Sequence, residues 1–374
     1  MERLPRALHP GAWWLWALGL ATAASRTTNP IVLALVVAAA GYVVARRRTD
    51  APWALAFRLY LLLGGLIVAS RLLFRIVLGG GGGAGTHVLF TLPQIPLPEW
   101  AAGIRLFGPV AAEELLGGLY DGLRLAAMLV CLGAANALAN PKRLLKLVPA
   151  ALYEAGTAVI VALSVAPQLA ESVLRVRRAR RLRGGTGNGV RALRAILLPV
   201  LADALDRSLT LAAAMDSRGY ARAGTTPRPV RLTTGALVVA GLLGVCVGVY
   251  GLLDATTPRP LGLPLLAAGG IAAAAGLVLG GHRVRRSRYR PDPWRLPETA
   301  TALAGIGAGA LLFATAAVDP ANIYPSLSPL AWPQLGLLPA LAVALAAVPA
   351  WLSPPPVTAL AGSPPGDEPA EATA

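Results

Sequence analysis

Two arginine–glycine pairs, Arg183-Gly184 and Arg218-Gly219, close two stretches of helical pattern about thirty-five positions apart. An arginine there faces the negative end of the helix dipole, and a glycine just beyond it can adopt the left-handed conformation that closes the last turn. The chemistry on offer is recognition. A planar guanidinium fork hydrogen-bonds carboxylates or helix-end carbonyls in a geometry that lysine does not match. One such terminus is commonplace; two in like context read as matched plugs.

No catalytic triad, metal-ligand set or phosphate loop stands beside them. His9, His87 and His282 are scattered, without ligand spacing to Cys, Asp or Glu, and no serine, histidine and acid stand out as a triad. Cys131 and Cys246 lie inside apolar runs, as small packing residues do. The glycine-rich runs Gly79–Gly85 and Gly184–Gly189 lack the Gly-Lys-Ser/Thr ending of a phosphate loop. The chain reads as a non-catalytic protein that binds no cofactor of its own.

The elements that must position the two arginines are amphipathic helices. In the first, Ala166, Leu169, Ala170, Val173 and Val176 recur at three- and four-residue steps, while Arg175, Arg177, Arg178, Arg180 and Arg181 cover the rest. In the second, Leu198, Leu201, Leu205, Leu209, Ala212 and Met215 form an apolar stripe, with Asp203, Asp206 and Arg207 away from it. Pro167 and Pro199 are expected near the two helix starts, where a missing amide hydrogen costs little. Thr186-Gly187-Asn188-Gly189 breaks the chain between the helices.

Around this pair the sequence is that of a polytopic membrane protein. Of 374 residues 55% are hydrophobic and 14% charged. Apolar runs at Trp13–Ala24, Ile31–Ala45, Trp53–Leu78, Leu119–Ala139, Gly235–Leu253, Leu261–Gly281, Ala300–Val318 and Leu330–Leu352 suggest about eight spans. The predicted fold is an all-α membrane bundle carrying two long amphipathic cytoplasmic helices. Its parts are membrane helices in 1–140, the paired helices in 141–231, further spans in 232–352 and a disordered tail in 353–374. Leu152–Val165 is apolar but short, and charge decides its place. If it stays on one side, 28 of the 34 Lys and Arg residues share that side. The positive-inside rule then makes both termini and the paired helices cytoplasmic in a plasma-membrane protein. The net charge of +16 is thus assigned to cytoplasmic loops, not to nucleic-acid binding. Glycines four apart, such as Gly305 and Gly309, suit close helix packing.

The stretch from Pro167 to Arg222 resembles the coupling-helix region of the energy-coupling-factor (ECF) transporter T component, the CbiQ/EcfT family. Pro167, Glu171, Arg175, Ala179 and Arg183-Gly184 fall where that family's first coupling helix has comparable residues. Ala214-Met215-Asp216-Ser217-Arg218-Gly219-Tyr220 is similar to its second motif. Leu182 and Ser217 stand where alanine is usual. The resemblance implies that Leu182-Arg183-Gly184 and Ser217-Arg218-Gly219 dock on two ABC-type ATPases, separate or fused, which bind the ATP and magnesium. It implies a further partner, a small membrane-embedded substrate-binding S component, and uptake of a vitamin or a cobalt or nickel ion. The resemblance covers about two thirds of the chain, and the last two spans are additions it does not explain.

Two rival readings use other residues. Asp121 and Arg124 lie three apart on one helix face, and Arg71 and Arg75 interrupt the third apolar run. Charges inside a bundle suggest a self-contained secondary transporter or membrane enzyme. A scaffold whose basic helices bind anionic lipid is the other.

Overall fold

The computed structural model describes residues 6–49, 56–78, 87–93, 107–147, 152–184, 190–220, 228–253, 259–281 and 292–355. The Gly79–Gly85 run, the Thr186–Gly189 break, the basic run from His282 to Arg290 and the tail beyond Pro355 lie outside them. In chain order the helices are α1 (Pro10–Ser25), α2 (Pro30–Arg47), α3 (Phe57–Val77), α4 (Ala112–Leu138), α5 (Pro141–Leu144), α6 (Tyr153–Leu182), α7 (Val190–Ser217), α8 (Arg228–Leu253), α9 (Arg259–Gly281), α10 (Leu296–Val318), α11 (Leu337–Ala347) and α12 (Pro349–Leu352). Seven of them are long and apolar enough to cross a bilayer, so this is a multi-pass membrane protein with a helical fold. The small exception to all-α is an antiparallel pair, β1 (Val88–Thr91) and β2 (Pro109–Ala111), which pairs Val88 with Ala111 ahead of α4.

The chain forms two units, 1–144 with 290–374, and 145–289. In the first, α1 and α2 begin on the same device. His9 Nδ1 accepts from the Gly11 N–H at 3.2 Å and Asn29 Oδ1 from the Ile31 N–H at 3.0 Å, each with a proline at the next position. The core joins α1, α2 and α4 to α10 and α11, with Trp16, Leu20, Val36 and Val43 buried beside Ala308, Leu312 and Ala346. A Cβ at Gly19 would overlap the Gly305 carbonyl, and one at Gly305 would overlap the Trp16 backbone. The close approach of α1 to α10 therefore needs glycine on both sides.

Polar side chains tie the same elements together. The Trp16 indole N–H donates to the Ala346 carbonyl at 3.0 Å. Asn29, fully buried, donates from Nδ2 to the carbonyls of Asn322 (2.8 Å) and Gln334 (2.7 Å). The Thr27 hydroxyl donates to the Ile323 carbonyl at 2.9 Å. Glu298, also fully buried, is held by Arg6 Nη2 at 2.8 Å and by the backbone N–H of Arg295 at 3.1 Å. The last two spans are thus no appendage; they complete the core of the first unit.

The second unit contains α6–α9. Here α8 and α9 pack through glycines, Gly241 meeting Ala273 and Gly244 meeting Gly269. Their outward positions, Leu242, Leu243, Val247 and Ile271 among them, are exposed.

Three expectations need correction. Pro167 and Pro199 lie inside α6 and α7, not near their starts. Proline removes one backbone hydrogen bond, but the helix-favouring residues on both sides of each proline, such as Ala166, Leu169 and Ala170 around Pro167 and Leu198, Leu201 and Ala202 around Pro199, carry the helix through it. As a result Leu152–Val165 and the arginine-rich stretch are one helix, and α6 counts among the seven apolar helices by virtue of its first half. The span expected over Leu330–Leu352 is helical only from Leu337, in two short pieces. Ahead of it Pro329 and Pro333 interrupt the pattern, and the Gln334 carbonyl is taken by Asn29. Ser353, placed in the tail by sequence, is buried and donates its hydroxyl to the Pro349 carbonyl at 2.6 Å.

Candidate functional site

Both helices that carry the Arg-Gly pairs end by the same backbone chemistry. In α7, Arg218 is the last half-helical residue and Gly219 follows at φ 72°. The Gly219 N–H bonds the Asp216 carbonyl at 2.8 Å and the Tyr220 N–H reaches back to Met215 at 3.0 Å. Those two bonds together define a Schellman closure. In α6, Arg183 takes the equivalent place, Gly184 has φ 75°, and its N–H bonds the Arg181 carbonyl at 3.1 Å. A left-handed residue with a side chain is disfavoured there, so glycine is demanded at both positions.

The closures leave both guanidinium groups outside. Arg183 and Arg218 are exposed and have no side-chain partner among the described residues. Leu182 beside Arg183 is 90% exposed, an unusual position for a leucine. Ser217, Asp216, Ala179, Glu171 and Pro167 are also exposed, Met215, Gly219 and Tyr220 half-buried. Each terminus therefore presents one cation, and the first adds an apolar side chain.

Between the termini the two helices cross on a polar cluster. Asp203 of α7 is its hub. It accepts from the Ser172 hydroxyl at 2.8 Å and from Arg207 Nε at 3.1 Å, and Arg175 approaches to 3.9 Å. Arg207 also reaches Gln168 Oε1 at 3.4 Å. Ser172 and Val200 are buried at the crossing. The Ser172 hydroxyl, followed by the Arg207 guanidinium, holds the Asp203 carboxyl below the usual aspartate range. Gln168 faces Arg207 while Ser172 faces Asp203, so the two helices run in opposed senses. Arg183 lies eleven residues past Ser172 and Arg218 fifteen past Asp203. At 1.5 Å per residue these are arms of roughly 16 and 22 Å, pointing to opposite sides of the crossing.

Because α7 turns its polar residues toward α6, its leucine stripe faces outward. Leu198, Leu201, Leu205 and Leu209 are between 56% and 67% exposed. Sequence periodicity found that stripe and the residues off it. It did not single out Ser172 or Gln168, whose signal is weak: polar residues one turn apart on a helix whose partner periodicity cannot name.

The rival charges are not drawn into a site. Asp121 and Arg124 are half-buried on α4, Arg71 and Arg75 are exposed on α3, and no ion pair joins any of them among the described residues. The stems of Arg71 and Arg75 instead pass beside Gly122 and Gly118. Among the described residues no group of three or more His, Cys, Asp or Glu side chains is placed to hold a metal ion.

The family model of CbiQ, described as cobalt transport protein, matches residues 1–227 and so takes in α1–α7 with both Arg-Gly ends. The chain belongs to the CbiQ family. It is thereby a membrane component of the cobalt transport class. No curated protein matches the chain. The CbiQ match stops before α8, yet α10 and α11 lie in the same core as the matched α1, α2 and α4.

Proposed function

We propose that this chain is the energy-coupling T component of an ECF-type importer, with α6 and α7 as its coupling helices. The observation that carries the reading is the pair of helix ends that each close on an Arg with a left-handed Gly behind it, each presenting one exposed arginine at the end of an arm, on opposite sides of a polar crossing. Two separated, equivalent cations suit two equivalent receptors. ABC-type ATPases work as a pair, and a groove lined by carboxylates or helix-end carbonyls on each would accept Arg183 or Arg218 in fork geometry. ATP and magnesium would be bound by those partners.

The mechanism is a transfer of motion. When nucleotide draws the ATPases together or lets them part, the two tips move with them, and the crossing at Asp203 converts that into a change of angle between α6 and α7. The exposed leucine stripe of α7 would lie on the small membrane-embedded S component, whose reorientation releases a vitamin or a cobalt or nickel ion inside. Burial of an apolar stripe supplies affinity without a fixed geometry, which suits a surface that must shift. With α6 lying along one side of the bilayer despite its apolar first half, 28 of the 34 Lys and Arg residues share that side, which favours cytoplasmic placement of both termini and the coupling helices.

The test is co-purification. Arg183→Glu combined with Arg218→Glu is expected to leave the protein extractable from the membrane and to remove its ATPase partners. ATPases recovered in normal yield with the double variant would refute the reading.

A further inference from the structure

The first unit carries a charged cavity that the coupling reading leaves unused. It has a volume of about 410 Å³ and is lined by Arg6, His9, Arg143, Asp292 and Arg295, with Ala7 and Pro293. Three chain segments far apart in sequence converge there: the approach to α1, the start of α5 and the approach to α10.

Its charges are only partly answered. Arg143 makes a fork pair with Asp292, Nη2 to Oδ1 at 2.9 Å and Nε to Oδ2 at 3.0 Å, and its Nη1 donates to the Leu8 carbonyl at 3.3 Å. Arg6 is paired with the buried Glu298. A guanidinium has five N–H donors, so both arginines keep donors over. Arg295 is exposed, and its side chain has no carboxylate partner among the described residues, since its backbone N–H is the group that meets Glu298. Three arginines against two carboxylates leave a net positive lining.

The position of the cavity narrows the ligand. It sits just before the first turns of α1 and α10, and α10 is long and apolar enough to cross a bilayer, so the cavity falls at the end of a candidate span. Trp294, exposed and set edge-on against His9 at 5.1 Å beside the cavity, is the kind of aromatic that favours a membrane–water interface. A basic pocket between helices at a membrane surface is suited to an anionic headgroup.

We infer that this cavity binds a phosphate group at the membrane surface, with Arg295 as the uncompensated donor and Arg6 and Arg143 as flanking ones. The tetrahedral anion would take N–H donors from more than one guanidinium, the arrangement in which arginine outperforms lysine. Lipid phosphodiester and free phosphate share this chemistry.

The test uses the purified full chain in detergent, followed by thermal unfolding. Short-chain phosphatidylglycerol is titrated against phosphatidylcholine of equal chain length, and inorganic phosphate against chloride at equal ionic strength. Phosphatidylglycerol is expected to raise Tm saturably where phosphatidylcholine does not, and Arg295→Gln to raise the half-saturating concentration about tenfold. Arg295→Lys should recover part of that loss. The Arg295 side chain is exposed and makes no ion pair among the described residues, so its variants are expected to keep the native bundle. A lipid shift that inorganic phosphate does not compete away identifies a headgroup site; competition identifies a site for soluble phosphate, and either supports the inference. Equal half-saturation for wild type and Arg295→Gln, or no shift with any anion, overturns it.

Discussion

The two units of this protein solve opposite problems with the same residue types. In the first unit buried polar groups are spent on the fold itself: Asn29, Thr27, Trp16 and Glu298 each bind a segment roughly three hundred residues away. In the second, polar groups meet at one crossing, and leucines and arginines are left outside. The core of the first unit is closed by its own polar ties, while its α3 keeps Leu59, Leu62 and Leu66 exposed. The second offers surfaces that this chain alone does not cover. Under the proposed coupling role, the first unit would serve as the anchor and α6 and α7 as the levers.

The contrast makes its largest prediction at Glu298. Replacing it with alanine leaves Arg6 without its buried partner and should destabilise the first unit by about 3–5 kcal/mol. Thermal unfolding in detergent would show this as a large fall in Tm, whereas an unchanged Tm would mean that the first unit is not the rigid one. Next in size is Asp203→Asn. The α6–α7 crossing should loosen, read as faster amide exchange around Ser172 and Val200, with the first unit's exchange unchanged. Equal acceleration in both units would erase the distinction between them.

The pH dependence of that crossing sharpens the point. Asp203 is held below its ordinary value by Ser172 and Arg207, so its contribution is present above the unfolded aspartate value of about 4 and fades as pH falls through the lower folded one. Amide protection at the crossing, taken relative to the intrinsic exchange rate at each pH, should therefore fall on acidification below that range, and the Asp203→Asn variant should show no such step. The smallest effect is expected for Leu205→Ser. That side chain is 64% exposed, so stability should change by no more than about 0.5 kcal/mol, while recovery of a membrane partner should fall. A large loss of stability would place the stripe in this chain's own core.

What sequence made legible follows the range of the interactions. The Arg-Gly closures were readable because a left-handed glycine after a helix is a local device, complete within one turn. The leucine stripe of α7 was readable because period carries it. Pro167 and Pro199 were misread because proline's preference for a helix start is weak beside the combined helix preference of the residues on both sides of it. The Ser172–Asp203 contact was invisible because each helix shows only its own polar face, and the choice of mate is made in three dimensions. Least visible was the place of α10 and α11. Nothing near Glu298 in sequence names Arg6 as its counterpart, and the family likeness ends before either helix begins.

That last arrangement has a consequence for how the protein is made. Arg6 and Trp16 leave the ribosome early, but Glu298 and Ala346 emerge only after the whole of the second unit has been translated. The opening helices must therefore wait in the bilayer, with their inward glycine face unfilled, while the levers are synthesised. Assembly of the anchor is the final event of biogenesis, and a chaperone or insertase that shelters α1 would act in that interval.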